Sequence, residues 1–150
     1  MSNLNSNTVL DLLEQLDRFG TYRVAFETNG TIVPITALVE RVAQWNVSPK
    51  LSGSGNSAKR ALHPEALRAF AMLPNADFKF VISSEDDLLE ALNLCRLYDV
   101  RNDSIYLMPE GRTSTEVEEH GRWLVERCKE HGVNFSTRLH VHLWGAARGV

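Results

Sequence analysis

Apolar positions along the chain fall into short runs that alternate between two periods. Tyr22 to Phe26, Ala43 to Val47, Phe78 to Ile82 and Ile105 to Met108 are runs of β-branched, aromatic and aliphatic residues, each closed by turn chemistry, and they predict strands. Between them the spacing changes to that of amphipathic helices. Val9, Leu12, Leu13 and Leu16 share one helical face that Gly20 closes, with Thr8 to Asp11 as a capping box. Pro64 opens a helix that places Leu67, Phe70 and Ala71 inward and that Pro74 stops. Ser84 with Asp87 caps a helix carrying Leu88, Leu92 and Cys95, and Thr113 with Glu116 caps a long one carrying Val117, Leu124 and Cys128 to Gly132. Arg138 to Trp144 alternates strictly and predicts a last strand with His140 and His142 on one face. The structure of Thr31 to Arg41 is left open by its Pro34 and mixed pattern.

Strands alternating with helices imply parallel pairing through right-handed crossovers, hence an α/β layer or barrel whose site lies where the strands' C-terminal ends gather. Those ends read Glu27-Thr28-Asn29, Ser48-Pro49-Lys50, Ser83-Ser84 and Met108-Pro109-Glu110. Polar groups, Glu27 and Glu110 with hydroxyls and a lysine, thus converge on one rim, as function would arrange more often than chance. Each also has a plainer reading: Asn29-Gly30 and Ser48-Pro49 as turns, Lys50 and Arg148 as solvated charges, His140 as a packed strand residue.

Composition narrows the function classes. The 150 residues are 43% apolar and form one domain with material for a core. A net charge of -3 with scattered basic residues gives no footprint for nucleic acid or an anionic membrane. No apolar stretch reaches the about 20 residues a bilayer span requires, and the polar first residues do not read as a signal peptide, so a cytoplasmic protein is expected. The two cysteines sit far apart inside predicted helices, as packing thiols and not a metal clip or disulfide. The Ser52 to Ser57 stretch is glycine-rich but matches neither GxGxxG nor a phosphate loop, and His140 with His142 lacks a third nearby ligand; no metal site is expected.

Several motifs occur in an order that resembles one family. Glu27-Thr28-Asn29-Gly30-Thr31, Asn46-Val47-Ser48-Pro49-Lys50-Leu51 followed by Ser54-Gly55, Phe78 to Ile82, Leu107-Met108-Pro109-Glu110-Gly111, Arg138-Leu139-His140, Leu143-Trp144-Gly145 and Arg148-Gly149-Val150 are similar to 7-carboxy-7-deazaguanine synthase, a radical S-adenosylmethionine (SAM) lyase of queuosine biosynthesis. The likeness runs from about Leu10 to Val150. It implies a partial radical-SAM-type (β/α) barrel, mostly parallel strands with flanking helices: the C-terminal portion of such a barrel, without the half that carries the CxxxCxxC cluster motif and the GGEP stretch.

The full family's reaction converts 6-carboxy-5,6,7,8-tetrahydropterin to 7-carboxy-7-deazaguanine with loss of ammonia, using a radical generated from SAM. Carried over by motif, Glu27, Thr28, Asn29, Ser48 and Lys50 contact SAM, while His140, Arg148 and Val150 contact the pterin. No catalytic residue lies in this chain. The 4Fe-4S cluster and Mg²⁺ are expected only from a separate cluster-binding polypeptide or missing N-terminal half, without which the chain is inactive. A homodimer is compatible with the family. Alternatives are a non-catalytic SAM- or pterin-binding remnant and an inert gene fragment. One departure stands out: Ala146 and Ala147 occupy positions where the resemblance leads one to expect an asparagine and a bulkier polar residue.

Overall fold

The computed structural model describes residues 6–54 and 63–147. It is an α/β arrangement on a five-stranded sheet of order β1-β2-β3-β4-β5, every neighbouring pair parallel. The strands are β1 (Val24–Thr28), β2 (Val42–Val47), β3 (Ala76–Ile82), β4 (Ile105–Pro109) and β5 (Asn134–Phe135). The helices are α1 (Ser6–Asp17), α2 (Thr36–Arg41), α3 (Pro64–Ala71), α4 (Glu85–Leu97), α5 (Ser114–His131) and α6 (Leu139–Trp144). Among the described residues the sheet does not close into a barrel.

Most predicted elements form for the predicted reasons. Pro64 is the first residue of α3. Thr113 and Glu116 make a complete capping box on α5, which Gly132 ends in the left-handed conformation at φ 65°. At α4 the Ser84 hydroxyl accepts from the Asp87 amide, but the Asp87 carboxylate accepts from the Ser83 backbone and hydroxyl instead of closing the box on Ser84.

Two expectations change. Arg138 to Trp144 is not a strand: Leu139 to Trp144 coil into α6, and the fifth strand is the two-residue β5 just before it. Over so few residues, Leu139 and Leu143 satisfy a helical i, i+4 spacing as well as a period of two. The helix wins because Val141 is then buried, Arg138 donates to the Gly111 carbonyl, and Gly145 at φ 62° ends the turn. Further upstream, α1 starts at Ser6, so Thr8 lies inside it and does not cap it.

One sheet face carries the core. Trp45, Val47, Phe78, Phe80, Ile82 and Leu107 are buried there against Leu67 and Phe70 of α3, Leu88 of α4 and Leu124 of α5. Phe26, Trp45 and Phe70 form a chain of tilted rings with centroids 5.2 and 5.3 Å apart. The opposite face holds Ala25, Glu27, Gln44, Asn46, Asp77, Lys79, Val81, Tyr106 and Met108, none of them buried. All-parallel sheets are ordinarily covered on both faces, and among the described residues this one is covered on only one.

Candidate functional site at the strand ends

Parallel pairing sends every strand's C-terminal end to the same side. Thr28 and Val47 are register partners, and the Ser48 amide donates to the Thr28 carbonyl at 2.7 Å, so the Glu27-Thr28-Asn29 and Ser48-Pro49-Lys50 segments are neighbours on the rim. Further along, the Glu110 amide donates to the Ile82 carbonyl at 2.9 Å, fastening the end of β4 to that of β3.

Ser48, Lys50, Gly53, Lys79, Ser83, Asp87 and Glu110 line a hollow of about 180 Å³ across the ends of β2, β3 and β4. Its outer wall is fixed from below. Both carboxylate oxygens of Glu90 accept from the Ser52 amide, at 3.0 and 3.1 Å, pinning the loop after β2 onto α4. Beside it Gly53 lies close against α4, where an added Cβ would stand 2.7 Å from an Asp87 carboxylate oxygen. Lys50 and Lys79 make no salt bridge among the described residues, so two cationic groups and the Ser48 hydroxyl face the hollow beside the carboxylates of Asp87 and Glu110. Such a lining offers donors to hydroxyl or carboxylate acceptors and offers acceptors to an amine or cationic centre.

The residues at the end of β1 face a second, smaller hollow of about 130 Å³, where Glu27 and Thr28 meet Phe26, Pro34, Leu38 and Trp45. The Trp45 indole N–H is buried there without a hydrogen-bond partner among the described residues. Thr28 and Asn29 organise the exit turn: the Thr28 hydroxyl accepts from the Gly30 amide at 3.2 Å, and the Asn29 side-chain oxygen accepts from Thr31. Glu27 makes no such turn contact. It sits exposed on the uncovered face, in register with Asn46, which in turn pairs with Asp77.

His140 lies elsewhere. It is exposed on the first turn of α6 and lines neither rim hollow. His142 contacts the Thr137 hydroxyl at 2.7 Å through Nε2 and belongs to a groove between α5 and the β5–α6 segment. Arg148 and Val150 fall outside the described residues.

Sequence reasoning passed over Lys79 and Asp77. Their signal is the alternation of Asp77-Phe78-Lys79-Phe80, which sends both polar side chains to the face opposite the phenylalanines. Asp77 accepts from the Gln44 side-chain amide at 2.9 Å; burial holds its carboxyl above the ordinary range, against the opposing pull of Lys79 and Arg101.

The cysteines do not fit an iron–sulfur cluster. Burial pushes the Cys95 thiol up to about 12 and the Cys128 thiol up to about 11, whereas cluster ligands are thiolates. Among the described residues no group of three histidine, cysteine or acidic side chains is placed to hold a metal ion. A thiol reagent at pH 8 should accordingly find no fast-reacting thiol in the folded chain and two after denaturation; rapid labelling of the native protein would contradict this. The raised values also set an alkaline dependence. Unfolded cysteines ionise near about 8.5, so the stability these thiols contribute is complete below that pH and is lost as pH climbs toward the folded-state values.

A parallel sheet flanked by helices, with polar groups gathered at its C-terminal rim, defines an α/β protein whose candidate site lies at the strand ends. No family model matches the chain. Individual relatives do. A 7-carboxy-7-deazaguanine synthase of Pyrobaculum aerophilum is 34% identical over 126 residues, covering 84% of this chain and 54% of that protein. Enzymes of the same name from Halobacterium salinarum and Rhodopirellula baltica are 30% and 28% identical, covering 91% and 94% of the chain and 59% and 58% of those proteins. The chain is thus homologous to part of the 7-carboxy-7-deazaguanine synthases, as its motifs indicate, and spans between 54% and 59% of the length of these relatives. No helix of the described residues is long and apolar enough to cross a membrane.

Proposed function

We propose that this chain supplies the ligand-binding rim of a 7-carboxy-7-deazaguanine synthase-like radical SAM lyase, and that the cluster-bearing part is other polypeptide sequence. The observation that carries the reading is the uncovered sheet face. An all-parallel sheet leaves Glu27, Asn46, Asp77 and Lys79 open on the side that a barrel would enclose, next to a hollow lined by Ser48 and Lys50. The cysteines supply no thiolate set, so the redox group comes from outside these residues.

In this reading SAM lies across the ends of β1 and β2. Glu27 is placed to accept from ribose hydroxyls, Ser48 both donates and accepts, and Lys50 offers charge to a carboxylate. Thr28 and Asn29 act through the turn they hold. The 6-carboxy-tetrahydropterin would lie over the open face; His140, which lines neither rim hollow, and Arg148 and Val150, outside the described residues, are proposed contacts on the strength of the family motifs alone. A non-catalytic SAM- or pterin-binding module is the second reading, favoured by the buried, protonated thiols.

Calorimetric titration of the chain with SAM and with the carboxy-pterin tests the shared binding claim. Ser48→Ala and Lys50→Ala should each weaken SAM binding by about three- to tenfold, the loss of one hydrogen bond or one screened charge. An absence of heat and of thermal shift with both ligands would remove the proposal.

A further inference from the structure

On the helical side of the sheet, the hollow of about 130 Å³ is walled by Val9 of α1, the register partners Phe26 and Trp45, Leu38 of α2 and Phe70 of α3. Ser48, Lys50, Lys79 and Glu110, which line the rim hollow, do not line this one. Ile32 and Val33 also border it and are exposed, so it opens to solvent past apolar side chains.

One group in these walls is out of keeping with them. Trp45 is 3% exposed, and its indole N–H has no acceptor among the described residues. Phe26 and Phe70 meet the indole in tilted ring contacts, which leaves its polar edge as the part without a partner. A buried indole N–H ordinarily finds an acceptor, and a buried donor left unpaired costs stability. A phenylalanine at this position would make ring contacts of the same kind without that cost. The tryptophan is the better residue where an occupant of the hollow brings the acceptor.

Size and lining describe that occupant. An apolar protein cavity of about 150 Å³ takes up benzene, so this hollow suits a molecule near the size of a six-membered ring. Its body would be apolar, because Val9, Phe26, Leu38 and Phe70 offer it nothing to hydrogen-bond. We propose that this hollow is a binding site, separate from the rim, for a compact neutral ring compound whose one acceptor, a ring nitrogen or a carbonyl oxygen, takes the Trp45 indole N–H. The site stands whether or not the rim binds SAM.

Pyridine and benzene are the probes, two rings of nearly equal size of which only pyridine carries an acceptor. Each is titrated into the whole chain while the indole N–H resonances are followed by NMR, the Trp45 signal being the one that Trp45→Phe removes. Pyridine should move the Trp45 indole proton downfield, as a new hydrogen bond does, and benzene should not. Trp45→Phe should shift the ratio of the two affinities about tenfold against pyridine while benzene still binds. Comparing the ratio between the two chains cancels the difference in hydration of the probes. The indole shift in the unmodified chain decides the matter if the phenylalanine variant fails to fold.

Binding of neither probe would mean that the hollow holds only water and would overturn the site. So would a ratio that Trp45→Phe leaves unchanged, or pyridine binding that leaves the Trp45 signal in place. Because Glu27 also borders the hollow, SAM is added last as a competitor. Pyridine that stays bound supports a separate site, and pyridine displaced by SAM would contradict it by making the hollow part of the rim site. A chain that binds pyridine at Trp45 and shows no heat with SAM would keep this site and count against the proposed function.

Discussion

Gly30→Val lowers the stability of the fold by about 2 to 5 kcal/mol, and the melting temperature of a chain this size by roughly 5 to 15 °C. Two independent costs combine. Gly30 sits at φ 71°, a region β-branched residues rarely enter. A Cβ there would also lie 2.9 Å from Val47 Cγ1 and 3.0 Å from Leu67 Cδ2, both fully buried side chains with no room to retreat. Gly30→Asn separates the terms, since asparagine tolerates the left-handed conformation but still brings the Cβ, so its loss should be smaller than that of valine. Gly121→Ala is the control, since Gly121 has no positive φ and the nearest atom to an added Cβ there lies 3.5 Å away. Thermal melts of the three variants check the order; a Gly30→Val protein that melts with the wild type would mean that the turn after β1 is not packed as described.

The position of Gly30 matters beyond stability, because its amide is held by the Thr28 hydroxyl and its turn sets how the chain leaves the rim beside Glu27. A site built on strand ends is only as well placed as the turns that close them.

What the sequence made legible follows from how much pattern each element contains. β3 and β4 could be read because short runs of aromatic, β-branched and aliphatic residues, bounded by turn chemistry, have few other uses. Helices α3 and α5 could be read from residues with local meaning: Pro64 at a helix start, Thr113 with Glu116, Gly132 at a helix end. The segment from Arg138 to Trp144 misled because seven residues fit both periods, and the contacts that decide it, Val141 in the core and Arg138 on Gly111, are tertiary. Leu12 and Leu16 were expected inward with Val9 and Leu13, but only the latter two are buried; Leu12 is 52% and Leu16 37% exposed, because helical periodicity marks an apolar face without saying how wide a surface the rest of the fold covers.

The candidate site divides in the same way. Ser48 and Lys50 were visible as polar residues at a strand end, and the fold puts them in one hollow. Lys79, Asp87 and Glu110 complete that hollow from three different elements, which no single stretch of sequence announces. His140 was placed on a strand by the alternation around it and given its role by motif; that segment is a helix, and His140 lines neither rim hollow.

Product formation is the measurement that bears most directly on the central claim that this chain is a rim in need of a cluster. The chain would be combined anaerobically with the portion of a longer relative that lies outside the matched region, reconstituted with iron, sulfide and a low-potential reductant, and supplied with SAM and 6-carboxy-5,6,7,8-tetrahydropterin. Mass spectrometry should find 7-carboxy-7-deazaguanine in the mixture and none with either polypeptide alone. A cluster-loaded assembly that binds SAM and releases no product, or turnover by this chain without any added cluster-bearing sequence, would contradict it.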